Sequence, residues 1–420
     1  MKNNQKGFSH ILLFVILFIV IGLIGFTGWR VYKYESGGPS GLAECQGTNL
    51  FSVSPAAIGT YDYLEPLGHT SANNGSAGHI IPVDHMYFYF KHTVPGNMNS
   101  PTIPVTIQAP SNGEIYRVVS TNYQTNGQTT DHDYDIYFAP CNGVYVHLAH
   151  INSLNPTIQN VLNKATTNIF GSITKHCDTS TPNGPNGPAH QECKYNVNIK
   201  LSAGDKIGTA GGPGTQTMAF DFGVYNTTTK PLPFIDTKYM YSDNLHAVCG
   251  ISYYPAGPIK TALYNSLKTT KVDPNGQKDC GTNMWDKIGT IQGNWHLPSA
   301  PKGQGLDNQY GLSISHYDMD PSQANITWGG TIGPANTIDS PIQASGLINR
   351  DPASITANGK VYCYENEQAP VTPDSNGNYQ VVMQNSVDLQ LINSTTLKIE
   401  YHQGSCSTTP TLTNPTTYFR

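Results

Sequence analysis

From Ile11 to Trp29 the chain carries no charge, running through apolar and small side chains only. That is about the length a single helix needs to cross a bilayer. Lys2 and Lys6 precede it, and Arg30 and Lys33 follow. All eight cysteines lie beyond this run. An even cysteine count past a membrane segment predicts oxidised pairs outside the cytoplasm. No small-x-small cleavage site follows closely. The expectation is a retained single-pass anchor over 1–33, in contact with the lipid bilayer, with the main domains extracytoplasmic.

Beyond a linker at 34–44, the chain is long enough for two domains. Only 12% of its 420 residues are charged, with 41 Gly and 29 Pro, a mix that suits a turn-rich, mainly β protein. A net charge of −5 gives no basic footprint, so nucleic acid is excluded as the expected partner. Short strands are expected at 86–91, 103–108, 113–120, 134–138 and 143–148. Asn155–Phe170 instead repeats apolar residues at helical spacing after Pro156, and 258–268 does the same. The first domain is expected over 45–284, with a loop-and-helix insertion at 155–200. A second, sandwich- or barrel-like β domain is expected over 285–420, with strands at 312–315, 360–364, 379–383, 387–392 and 396–401.

His176-Cys177 and His190…Cys193 have zinc-like spacing. In an oxidising compartment a Cys177–Cys193 disulfide clipping the Pro/Gly-rich loop at 182–188 is the stronger reading. Order along the chain suggests Cys249–Cys280, Cys363–Cys406 and Cys45–Cys141 for the rest.

Four blocks could carry chemistry. The first is Gly78-His79-Ile80-Ile81-Pro82-Val83-Asp84-His85, where imidazoles and a carboxylate could share one cation. The second, Pro104 to Val118, is a strand pair about a turn at Asn112-Gly113. The third, Tyr145-Val146-His147-Leu148-Ala149-His150, ends a strand on two histidines. The fourth runs Gly204-Asp205-Lys206-Ile207-Gly208-Thr209-Ala210-Gly211, then Met218-Ala219-Phe220-Asp221-Phe222-Gly223-Val224. In this order the blocks, over residues 75–226, resemble the lysostaphin-like (LytM-type) zinc endopeptidases of bacterial cell walls.

The resemblance implies a LytM-type β-core with zinc as cofactor and peptidoglycan cross-link peptides as partner. His79 would match the first zinc ligand. Asp84 or His85 would match the second, the spacing being one residue long and Ile81 replacing a Gly. Asp221 falls on the third ligand position, where the family has His, and Ala219 on a catalytic histidine. His147 and His150 both fit the remaining catalytic histidine. A site with two carboxylates and one imidazole is less electron-poor than the family's, which weakens water activation. The loss at Ala219 removes a donor worth ~100-fold or more in rate. The chain is thus expected to be a peptidoglycan-directed endopeptidase with a variant site, or a non-catalytic relative that binds the wall.

An alternative from another class is a cell-surface structural or adhesive module. Lys6-Gly7-Phe8 resembles a prepilin processing site, although Leu12 stands where pilins carry Glu. In the C-terminal half, Trp295 could stack on a sugar and His316 with Asp318 could bind an ion. Packing of Trp295 and a strand-end loop are the simpler readings.

Overall fold

Period-two alternation shapes the strands of this chain, which folds as a mainly β protein with two large antiparallel sheets. The computed structural model describes residue 39 and residues 41–420, except 74–75, 126–127, 169–172, 181–188, 213–217, 304 and 367–384. The apolar run at 11–29, the Gly7-Phe8 site, the 182–188 loop and the strand expected at 379–383 lie outside the described residues. Among the described residues no helix is long and apolar enough to cross a membrane.

Strand β1 is Tyr61–Glu65, and a short hairpin follows, β2 (Ser71–Asn73) and β3 (Ser76–His79). Next come β4 (His85–Phe90), β5 (Val105–Gln108), β6 (Gly113–Thr125) and β7 (Gln128–Cys141). They are followed by β8 (Val144–Leu154), helix α1 (Pro156–Leu162), β9 (Thr174–Ser180) and β10 (Ala189–Leu201). The first half closes with β11 (Lys206–Ala210) and β12 (Ala219–Asn226). These strands, without the hairpin, form one sheet in the order β1-β4-β12-β8-β7-β6-β10-β9, with β11 pairing both β5 and β8.

Along the central strands one face is apolar. Met86, Phe88 and Phe90, Val144, Val146 and Leu148, and Phe220, Phe222 and Val224 join one buried core. Each such side chain contributes roughly 1.5–3 kcal/mol through burial. The intervening residues must therefore face the other way. Register pairs Tyr87 with Asp221, and Gly223 with both His85 and His147. The polar residues of the first, third and fourth blocks thus share a sheet face.

The Gly-Asp block is a turn followed by an edge. Gly204 adopts φ +85°, which glycine alone takes at no steric cost, and Asp205 Oδ2 accepts from the Ser202 amide at 2.7 Å. A Cβ on Gly208 would meet the Ser153 carbonyl oxygen at 2.2 Å, so a side chain there would push β11 off β8.

Helix α1 is shorter than the spacing predicts. Asn155 caps it by accepting from the Thr157 amide at 2.9 Å. The chain leaves the helix at Asn163, and Thr166 already bridges to Thr174; β-branched Thr166 and Thr167 are weak helix formers. The 155–200 segment is likewise not a loop-and-helix insertion. Its second half is β9 and β10, which extend the sheet, β10 pairing with β6 from Gly113 to Gln124.

Four disulfides join Cys45–Cys141, Cys177–Cys193, Cys249–Cys280 and Cys363–Cys406. Cys177 and Cys193 are register partners on β9 and β10.

Between the sheets lie helices α2 (Ser242–His246) and α3 (Pro258–Ser266). The second sheet begins with β13 (Gly293–His296), β14 (Gly311–His316), β15 (Gln323–Trp328) and β16 (Asn336–Pro341). It ends with β17 (Tyr362–Glu365), β18 (Asn385–Asn393), β19 (Thr396–Gln403) and β20 (Thr416–Phe419). Its order is β16-β15-β14-β13-β20-β19-β18-β17, over a core that includes Trp295, Trp328, Tyr364 and Tyr418.

The β2–β3 hairpin ties the halves together. Thr70 Oγ1 donates to Asn325 Oδ1 at 2.6 Å, and the Ala72 amide to Thr337 Oγ1 at 2.8 Å. The Ile81 amide donates to Asp307 Oδ1 at 2.9 Å.

Candidate metal centre

Strand β8 carries a local irregularity that sets the site. Against β7, Leu148 pairs with Ile136 but Ile151 pairs with Tyr134, so β8 has one residue more than its partner over this stretch. His150 sits at this bulge with φ +64°, a conformation uncommon for non-glycine residues. A bulge re-aims a side chain without ending the strand. Here Leu148 and Ile151 both stay in the core, while His150 is turned onto the polar face beside Asp221.

Asp221 lies between two imidazoles. His85 Nε2 and His150 Nε2 are each 3.4 Å from Asp221 Oδ2. The far nitrogens of both rings are held by other carboxylates: His85 Nδ1 lies 3.0 Å from Asp84 Oδ1, and His150 Nδ1 3.0 Å from Asp133 Oδ2. When Nδ1–H donates to Asp84 or Asp133, the Nε2 of a neutral ring directs its lone pair toward the Asp221 oxygen. Two lone-pair donors facing each other at that separation need a proton or a cation between them.

The charges follow. Burial opposes charge on His150, but Asp221 and Asp133 outweigh it and raise its pKa to about 10. Burial likewise works against the Asp221 carboxylate, yet the fields of His150 and His85 hold it below its ordinary range. His79, whose ring centre is 5.7 Å from that of His85, is pushed down to about 3 by burial and by His85. It is a neutral imidazole at neutral pH.

Asp84 is fully engaged. Besides His85, Tyr225 Oη donates to its Oδ1 at 3.2 Å and Asn244 Nδ2 to its Oδ2 at 2.9 Å. His147 stacks on Tyr137 at 4.6 Å between ring centres, with Nε2 3.9 Å from Asp135 Oδ2. Burial lowers the His147 pKa, but Asp135 reverses this and raises it.

Several buried polar atoms on this face lack a hydrogen-bond partner: His85 Nε2, Tyr87 Oη, Asp133 Oδ1, His147 Nε2 and Asp221 Oδ1. Orphaned groups of this kind are rare in folded proteins and call for a ligand, an ion or water. Imidazole nitrogens with a carboxylate, backed by carboxylates on the far nitrogens, are the donor chemistry of a zinc site. The donors around Asp221 are nevertheless spread. Among the described residues, the group whose ligating atoms all lie within 4.8 Å of one another is a different one, Glu65, His69 and Asp318.

Of the residues singled out by sequence, His85, His150 and Asp221 are in direct contact, Asp84 stands behind His85, and His79 flanks it. His147 lies along the same face, paired with Asp135. Sequence reasoning missed Asp133, Tyr87, Tyr225 and Asn244. Asp133 lies in Asp131-His132-Asp133-Tyr134-Asp135, whose alternating acids on a strand were a usable signal. Asn244 comes from α2 and had none.

In the second half, Trp295 is fully buried, its Nε1 donating to the Ile291 carbonyl at 2.8 Å, so it is a packing residue. His316 Nε2 lies 3.1 Å from Asp351 Oδ1, while Asp318 joins Glu65 and His69 instead. No protein-family model, curated protein or solved structure matches the chain.

Proposed function

We propose that the polar sheet face is a zinc-dependent endopeptidase centre of the LytM kind with a variant ligand set, acting on peptidoglycan cross-link peptides. The observation that carries this reading is Asp221 between two imidazoles whose far nitrogens are already held by Asp84 and Asp133. His85, His150 and Asp221 would hold the ion, with neutral His79 adjacent. Asp84 and Asp133 would orient their histidines, a role that fixes ring and tautomer in metal sites. A zinc ion there would supply an acidified water and polarise the scissile carbonyl.

The remaining roles fall to side chains. His147, its pKa raised by Asp135, can donate a proton or hydrogen bond to developing negative charge. The Tyr87 hydroxyl is buried, unpartnered and kept protonated by burial and by Asp221. It offers a second donor on a face where Ala219 supplies none. A single-pass anchor would keep this centre at the wall. The Ala219 substitution favours a second reading, a wall-binding relative that keeps the ion without turnover.

The test is zinc content and release of peptide ends from purified peptidoglycan. The parent chain is expected to bind zinc and to cleave, Asp221→Ala to do neither, and His147→Ala to keep zinc while losing ~100-fold or more in rate. Equal zinc in the parent and Asp221→Ala would overturn the ligand set. Zinc in the parent without cleavage would leave the wall-binding reading.

A further inference from the structure

The most compact arrangement of ligating groups lies further along the same sheet face, with Tyr87 between it and Asp221, where the two sheets meet. Glu65 ends β1, His69 follows it at i+4, and Asp318 lies just beyond the end of β14 in the other sheet. One ligating atom from each falls within 4.8 Å of the other two. Glu65 is wholly buried and Asp318 is 5% exposed. None of their four carboxylate oxygens accepts a hydrogen bond of good geometry, although the Tyr89 hydroxyl faces Glu65 and the Asp318 and Met319 amides face the Asp318 carboxylate; His69 Nδ1 lies 2.8 Å from Glu65 Oε1.

The surroundings add no counter-charge beyond that imidazole. Tyr87 meets His69 edge to face at 5.6 Å, and Tyr63 stacks on Tyr89 at 4.6 Å. Lys268 Nζ lies over the Tyr63 ring, 4.3 Å from its centre, and is not in an ion pair with either acid. Two carboxylates so placed either share a proton or hold a cation between them. A shared proton would leave the remaining oxygens to poorly aligned donors, the Tyr89 hydroxyl and the Asp318 and Met319 amides, with His69 Nδ1 held by Glu65 alone. A divalent ion would engage all three side chains and neutralise both acids.

We propose that Glu65, His69 and Asp318 form a structural site for a divalent transition-metal ion that pins the second sheet to the first. Imidazole with two carboxylates suits zinc or manganese, whereas magnesium and calcium favour all-oxygen shells. Backbone contacts beside it set the same geometry: the Lys268 amide donates to the Leu64 carbonyl at 2.7 Å and the Thr270 amide to the Met319 carbonyl at 2.9 Å. The ion would close a gap that these bonds already frame. Its ligands are distinct from those proposed at Asp221, although Tyr87 borders both groups.

The experiment loads the full-length chain with zinc or manganese, removes excess, and compares metal content and melting temperature among the parent, Glu65→Gln/Asp318→Asn and Asp221→Ala. The amide double variant preserves shape. It is expected to bind one equivalent less than the parent and to lose most of the metal-induced rise in melting temperature. Asp221→Ala is expected to keep that rise. Unchanged metal content and an unchanged rise in the double variant would overturn the site in favour of a shared proton. If the double variant does not fold, Asp221→Ala decides alone. Bound metal with one imidazole and an otherwise oxygen shell by X-ray absorption supports the proposal, and a metal-free chain overturns it. Failure of the Asp221 centre would appear separately, as parent-like metal content in Asp221→Ala.

Discussion

Asp221 Oδ2 meets His150 Nε2 at 3.4 Å, although the register partner of Asp221 on β8 is Ala149. Regular alternation would point Ala149 toward Asp221 and its neighbour His150 away. The added residue and the positive φ at His150 turn a core-facing position into a site-facing one.

His150→Val should therefore be less stable than His150→Gly by roughly 1–3 kcal/mol, because a β-branched residue is strained at positive φ, whereas glycine is not. Denaturant unfolding of the two variants checks this. Equal stability would mean that the bulge relaxes once the imidazole is gone.

Asp84→Asn and Asp133→Asn should each weaken zinc binding by about 10–100-fold without abolishing it, as loss of an orienting carboxylate does elsewhere. Competition against a chromophoric chelator reads this directly. Loss as complete as in Asp221→Ala would make either residue a ligand in its own right.

The His150 pKa, raised to about 10, has two consequences for the metal-free chain. A histidine titrating higher in the folded than in the unfolded state (ordinary value 6.5) stabilises fully below its unfolded pKa, and the gain disappears as pH rises through the folded one. The melting-temperature gap between the parent and His150→Gln should thus be widest below about pH 6.5 and close toward about pH 10. Zinc binding at neutral pH should also release a proton, seen as a buffer-dependent enthalpy in calorimetry.

Removing Cys45–Cys141, which spans 96 residues, should lower stability more than removing Cys177–Cys193, which spans 16. A longer closed loop restricts the unfolded chain more, within a typical range of about 2–4 kcal/mol per bridge. The shorter bridge also joins strands already paired by hydrogen bonds. Serine replacements compared by thermal unfolding test the ranking.

Much of the first sheet was legible because alternation and turn residues act locally. Met86–Phe90 and Phe220–Val224 announce their buried faces in sequence. Strand β10 was also readable through Tyr195, Val197, Ile199 and Leu201, but the Pro/Gly composition before it masked the pattern. The candidate centre was legible as a set of blocks and illegible as a geometry. Nothing local indicates that β8 holds an added residue at His150, or that Asp133 would stand behind it. The pairing of Asp318 with Glu65 rather than with nearby His316 depends on how two sheets meet, which no spacing encodes.

The β2–β3 hairpin has a practical consequence for dissecting this protein. It ends at His79; Thr70 just before it and Ala72 within it bond to the second sheet, and Ile81 just after it bonds to Asp307 in the loop between β13 and β14. A chain truncated near residue 285 would lose the partners Asp307, Asn325 and Thr337, and with them the support of the loop that carries His79 to His85. Inactivity of such a fragment would not reveal a lost wall-targeting module, because the cut would have disturbed the candidate metal face itself.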